Sequence, residues 1–249
     1  MNSIVVTGDA FPNLTNPIGF ATARLRANVQ SRLGSAEYLV MFDERFPTIL
    51  LFGAPGVGKG TQGMILGQIP GFYHLSCGDV FRSLNINSPE GREIYEFSSR
   101  GQLVPDELTV KIWKKSLLGH IAISRYRPPD ELLVLDGIPR NPHQVEMLKD
   151  TINVLHIIYL VCADMDKMID RIKRRAIRDN RADDANEEVI RSRFDVYQRE
   201  SEPVISAYPA EKISQIDAMR SPAEVLVDVL QKLIPVRKEW LASLPNQPF

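Results

Sequence analysis

The sequence predicts an α/β fold, a parallel sheet with helices on both faces. Three observations carry this. Short apolar runs recur along the chain, and the longer of them are largely continuous rather than alternating, as strands buried on both faces require. Periodic helical patterns separate these runs, so successive strands can be joined by helical crossovers. The run at 48–52 leads directly into a glycine-rich loop and a further helical pattern.

Taken in order, the strand at 48–52 is followed by a helix from about 58 to 68, which stops before Pro70 and Gly71. Residues 72–75 read as a short strand. The leucine- and valine-rich run at 132–135 is a buried strand ending in Asp136. Residues 154–161, rich in β-branched side chains, form another, and 213–216 a short last one ending at Asp217. Helices are predicted at about 89–100, 106–119, 142–150, 165–178, 187–207 and 222–233. Asp164 is a good N-cap for the fourth of these. Residues 1–46 show only two apolar runs, at 4–6 and 38–42, and the tail from Trp240 to Phe249 carries no pattern that assigns it a role.

At 249 residues the chain can bury a large core, as one α/β domain with small insertions. A 44% apolar and 24% charged composition is ordinary for a globular protein, and a net charge of −1 gives no general nucleic-acid surface. Cys77 and Cys162 are too few for a zinc cluster and suggest no disulfide framework, so a reducing, cytoplasmic compartment is expected. The stretch 152–163 is too short to span a bilayer and contains His156, so no membrane association is expected. The first 35 residues hold one acid, Asp9, beside Arg24, Arg26 and Arg32. They read as an ordinary N-terminal extension, with organellar targeting as the alternative; Asp9, Pro12 and Pro17 interrupt the helix that targeting needs, although 19–33 could form one.

The chemistry begins at 53–61, Gly53-Ala54-Pro55-Gly56-Val57-Gly58-Lys59-Gly60-Thr61. Four glycines in nine residues lose much backbone freedom on folding. They provide exposed N–H groups, close approach to a bulky anion and a positive helix N-terminus. Lys59 adds a full charge where β- and γ-phosphates would lie. The loop is therefore a triphosphate cradle. The strict pattern places Ser or Thr directly after the lysine; here Gly60 intervenes and Thr61 carries the hydroxyl.

Ligands of open α/β sheets bind past the carboxyl ends of the strands. Asp136 stands at such an end and can hold Mg2+ or its waters beside the phosphates. Arg171, Lys173, Arg174, Arg175, Arg178 and Arg181 crowd into eleven residues, with Arg191 and Arg193 following. Charge runs are usually solvated faces. Here the polar stretch 178–184 breaks the helical pattern and could fold over a triphosphate, because arginine donates two parallel hydrogen bonds to phosphate. Lys173 and Arg174 are expected at the surface. Arg82 and Arg140 are isolated, each just after a strand candidate, and could clamp a second phosphate; for either alone, a surface ion pair is the better reading.

With the segments 75–79, 101–107, 135–140 and 181–184, the loop resembles the adenylate kinase family over about residues 47–234, in order and at the right separations. The resemblance implies a core of five parallel strands, a segment binding the monophosphate at about 77–106 and a short lid at about 176–186, with 1–46 and 235–249 outside it. It implies Mg2+ as cofactor, and ATP and AMP as partners. In that pattern Gly53, Gly56, Gly58, Lys59, Gly60 and Thr61 hold the ATP phosphates. Arg171 lies against the ATP adenine. Arg82 and Arg140 bind the AMP phosphate, and Arg175, Arg181 and Arg193 surround the transferred group. Asp136 supports the Mg2+ shell with Asp79 near it, and Asp183 and Asp184 shape the closed lid. Val104 and Gly137 would meet AMP through their backbone, Gln144 through its amide, and Cys77 stands where a threonine or alanine is usual. Ile138 replaces the usual phenylalanine.

The resemblance extends to uridylate–cytidylate kinases, which carry an asparagine where Asn141 stands. Gln144 favours AMP, because a side-chain amide matches the ring acceptor and exocyclic donor of adenine. Cys77, a weak donor, departs from both patterns. The leading expectation is Mg-ATP + AMP ⇌ 2 ADP. A uridylate–cytidylate kinase is the alternative within the fold, and a non-catalytic nucleotide-binding module the alternative outside catalysis. A GTP switch would need an Asn-Lys-x-Asp base reader, which the sequence lacks. A monomer is expected, with the N-terminal extension able to mediate association.

Overall fold

The computed structural model describes residues 45–128, 130–179 and 186–244. Five strands are present among them: β1 (Phe46–Phe52), β2 (Phe72–Ser76), β3 (Leu132–Asp136), β4 (Ile152–Val161) and β5 (Ile213–Asp217). They form one sheet in the order β2-β3-β1-β4-β5, with every pairing parallel. The register sets Asp136 opposite both Leu51 of β1 and Ser76 of β2. The loops leaving these three strands therefore emerge side by side at one edge of the sheet.

The helices are α1 (Lys59–Leu66), α2 (Cys77–Arg82), α3 (Pro89–Ser98), α4 (Asp106–Ala122), α5 (Pro142–Leu148), α6 (Met165–Arg178), α7 (Glu187–Val196) and α8 (Pro222–Ser243). All five residues of β3 are buried, as its unbroken apolar run requires. Ile49 and Leu51 pack on one face with Leu66 of α1, Ile172 of α6, Phe194 of α7 and Val229 of α8. By strand alternation Leu50 points to the opposite face, and Trp113 and Leu117 of α4 and Leu148 of α5 are likewise fully buried. The parallel, doubly covered architecture is the one the sequence predicts.

Three elements depart from the sequence reading. Residues 77–82, to which the sequence reading gives no element, form α2, capped by Ser76, whose hydroxyl accepts from the Asp79 N–H. The helix expected at 187–207 ends at Val196 and passes into a π turn (Tyr197–Ser201) and a 3-10 turn (Glu202–Ala207). Pro203 has no N–H to continue an α ladder, so the wider and tighter turns absorb it. The last helix runs ten residues beyond its expected end at 233, through Pro235 to Ser243, and buries Trp240 in the core. The runs at 4–6 and 38–42, and the possible helix at 19–33, lie outside the described residues.

Candidate active site

The chain turns as soon as β1 ends. Gly53 has φ +138°, and a Cβ there would stand 2.3 Å from the Leu160 carbonyl oxygen of β4. Gly58, at φ +111°, caps α1, with no heavy atom within 4 Å of where its Cβ would be. The first glycine is required by close packing, the second by backbone conformation alone. No side chain caps the start of α1. Its first turn lines the cavity, so a partial positive charge and free N–H groups face an incoming anion.

Lys59 is held over this loop, its Nζ donating to the carbonyls of Gly53 (2.7 Å) and Ala54 (3.0 Å). Burial pushes its pKa down to about 8; Asp136 works against that, while Arg140 and Arg175 press it further down. Asp136 is 8% exposed. Its Oδ2 would stand 3.5 Å from a Cβ on Gly60, so the carboxylate lies against the start of α1. No cluster of three His, Cys, Asp or Glu able to hold a metal occurs among the described residues. A lone carboxylate beside a phosphate loop fits Mg2+, which takes one or two carboxylates and completes its shell with phosphate oxygens and water.

The opposite wall is built on α2, α5 and the loop after β3. Arg82 Nη2 donates to Asp79 Oδ1 at 2.6 Å. Both side chains are largely exposed, so the pair orients Arg82 more than it stabilises the fold. Cys77 is buried, and burial pushes its thiol pKa up to about 12, so it remains a neutral, weak donor. Arg140 Nε donates to the Gly137 carbonyl at 2.9 Å. Arg140 is exposed and lines the cavity. Desolvation draws its pKa down, Cys77 and Asp136 oppose this, and Arg193 and Arg82 add to it. Arg140 and Arg175 thus stand near enough to Lys59, and Arg193 and Arg82 near enough to Arg140, to disfavour the charge of Lys59 and of Arg140, an arrangement that an anion between them would relieve.

Gln144 is 1% exposed and sits in the first turn of α5. Its Oε1 accepts from the Arg140 N–H at 2.7 Å, and its Nε2 donates to Asp106 Oδ1 at 2.7 Å. Val104 is buried, with its carbonyl accepting from the Thr109 hydroxyl at 3.3 Å. Arg171 Nη1 donates to the Ala218 carbonyl at 3.0 Å, and Arg175 and Arg193 lie in the last turns of α6 and α7.

One cavity of about 750 Å³ is lined by every predicted site residue that the structure describes, from Gly53 through Thr61, Asp79, Asp136 and Gln144 to Arg193. Arg181, Asp183 and Asp184 lie outside the described residues. Sequence reasoning placed Arg174 at the surface; it is exposed, but it lines the cavity together with Arg178. Sequence reasoning also missed an apolar rim of Met64, Ile86 and Tyr95, each more than half exposed and each lining the same space. These three share no period with their neighbours, so no sequence signal singled them out. Lys173, by contrast, is engaged with Glu187 at 2.6 Å.

A glycine loop at the carboxyl end of a central parallel strand, facing a cleft rich in arginine, defines the class as a phosphate-loop nucleotide-binding α/β protein. A family model described as adenylate kinase matches residues 51–213. An adenylate kinase of Prochlorococcus marinus (strain MIT 9301) is 33% identical over 191 residues, 74% of this chain and 97% of the relative. One from Thermus thermophilus is 34% identical over 183 residues, 71% of this chain and 91% of the relative. A UMP-CMP kinase 3 of Oryza sativa subsp. japonica is 31% identical over 202 residues, 79% of this chain and 90% of the relative. The chain belongs to the adenylate kinase family. It is therefore a nucleoside monophosphate kinase, a phosphotransferase.

Proposed function

We propose that the protein transfers the terminal phosphoryl group of Mg-ATP to AMP, giving two ADP. The observation that carries this is the convergence on one cavity of two phosphate grips with an oriented amide at its wall. The glycine loop and Lys59 form the first grip, Arg82 and Arg140 the second, and Gln144 is the amide. The loop N–H groups and Lys59 hold the β- and γ-phosphates of ATP, and Arg171 lies beside its adenine. Arg82 and Arg140 hold the AMP phosphate. Val104 and Gly137 meet AMP through backbone groups, and Cys77 and Gln144 face its base.

No general base is needed, because the acceptor phosphate is already a nucleophile. The residues' work is alignment and charge stabilisation. Arg140, Arg175, Arg181 and Arg193 gather negative charge around the transferring group, as preorganised donors do when water is kept out. Asp136 would hold Mg2+, with a lesser part for Asp79, whose carboxylate is already paired with Arg82. The chemistry Mg2+ would supply there is neutralisation of the phosphates' negative charge.

Both cysteines are free thiols, which suits a reducing, cytoplasmic compartment. No helix of the described residues is long and apolar enough to cross a membrane. We take the protein as a monomer, with the residues ahead of β1 as the segment able to mediate association, outside a kinase domain that takes in β1 from Phe46 and α8 to Ser243. The test is a coupled assay with Mg-ATP and AMP, UMP, CMP or GMP at equal concentration. AMP should be turned over with the highest kcat/KM. Preference for UMP or CMP would move the protein to the pyrimidine branch of the family, and inactivity on all four would overturn the proposal.

A further inference from the structure

We propose that Asp106 is a positioning residue that sets base specificity, by locking the Gln144 carboxamide in one orientation. The inference rests on reading the cavity as a monophosphate kinase site. Asp106 opens α4 and is partly buried. It does not share the main cavity wall with Gln144; with Asn141 it lines a neighbouring hollow of about 330 Å³. From there it receives three hydrogen bonds. Gln144 Nε2 donates to its Oδ1 at 2.7 Å, and Asn141 Nδ2 donates to Oδ1 at 2.9 Å and to Oδ2 at 3.0 Å.

Two consequences follow from donor and acceptor chemistry. The first concerns Gln144. A carboxylate accepts only, so the amide end facing Asp106 must be nitrogen, while the end facing the Arg140 N–H must be oxygen. The carboxamide cannot turn over without setting its oxygen against a carboxylate and its NH2 against an N–H. It retains one N–H and one lone pair for a ligand, in fixed order. Adenine presents an exocyclic amino donor beside a ring acceptor; guanine and uracil present the reverse, a carbonyl beside a ring N–H. The order that pairs with adenine opposes guanine and uracil in the same pose. Cytosine shares adenine's order, so this lock does not exclude it.

The second consequence concerns Asn141. Its Oδ1 accepts from the Gln144 N–H at 2.8 Å as the N-cap of α5, and its Nδ2 is spent on Asp106. Asp106 thereby holds this asparagine away from the base and leaves Gln144 as the amide that reads it.

The test compares kcat/KM for AMP, GMP, UMP and CMP in the wild type and in Asp106→Asn. Asparagine keeps the shape, but its amide can present either an oxygen or an NH2 to Gln144. Loss of a charge-assisted bond predicts that the AMP:GMP and AMP:UMP ratios fall at least tenfold, whereas AMP:CMP shifts less than threefold. A carboxylate in the first turn of α4 also favours the helix, so melting temperature alone does not report on the role; the selective pattern of ratios does. Asp106→Ser is read in the same way should Asp106→Asn not fold. A wild type that prefers AMP, with ratios unchanged in the variant or with CMP relaxed equally, overturns the lock and leaves the kinase reading intact. A wild type inactive on all four monophosphates overturns both.

Discussion

Lys59 holds its charge against a strong opposing environment, and this makes its removal measurable. The ordinary value of 10.5 falls to about 8 in the folded protein, which corresponds to about 3 kcal/mol against the charged form. Below pH 8 the lysine is protonated both folded and unfolded, and the folded protein bears the whole penalty. Between pH 8 and 10.5 the unfolded chain still binds the proton while the folded one has released it. Unfolding free energy at this residue therefore rises with pH, by up to about 3 kcal/mol across the window, and no further above it. Lys59→Met has no such dependence. Urea unfolding of both proteins without nucleotide, at pH 7, 8, 9 and 10, subtracts every other titration. The wild type should gain about 2 kcal/mol on the variant between pH 7 and 10. Lost bonds to the Gly53 and Ala54 carbonyls shift the difference by a roughly constant amount and leave its slope. The same variant should lose at least about 100-fold in kcat/KM, as removal of a preorganised charge does. A stability difference flat with pH would refute the desolvated ammonium, and near-normal turnover would refute the cradle.

Arg140→Ala should raise the KM for the monophosphate far more than that for ATP; steady-state kinetics with each substrate varied in turn reads this, and equal effects would count against the assignment. Gly53→Ala should fail to reach a native fold or lose several kcal/mol, because its Cβ would meet the Leu160 carbonyl oxygen at 2.3 Å; normal expression and melting would contradict that geometry. Trp240→Ala should destabilise by about 3 kcal/mol in denaturant titrations, since the ring is in the main core cluster; a change under about 0.5 kcal/mol would mean the end of α8 is dispensable. Ser221→Ala removes the capping box of α8 and should cost about 1 kcal/mol with activity unaffected.

The sheet was legible because its central strands are largely buried, so 132–135 is apolar without interruption and 154–161 is broken only by His156. The phosphate loop was legible because few folds tolerate that density of glycine. Helix ends were less so. Pro235 ends a helix on local propensity, but the packing of Val236, Trp240 and Leu241 carries α8 past it. The rim formed by Met64, Ile86 and Tyr95 left no mark, because exposed apolar residues have no period to read. Gln144 was reached through the family resemblance, which implies a glutamine four residues after the arginine. Its dependence on Asp106, 38 positions away, is a tertiary fact that no local pattern contains.

The pairing of Leu51 with Asp136 carries a last consequence. Adjacent strands in a sheet lie about 4.8 Å apart, so the loops leaving β1 and β3, to which the proposed function gives the ATP grip and the start of the AMP grip, are spaced by backbone hydrogen bonds. On that proposal the spacing of the two grips is set first by the sheet. The proposed base recognition belongs to α4 and α5 instead. An engineer could rewrite which nucleotide is accepted there without disturbing the ruler that sets the reaction.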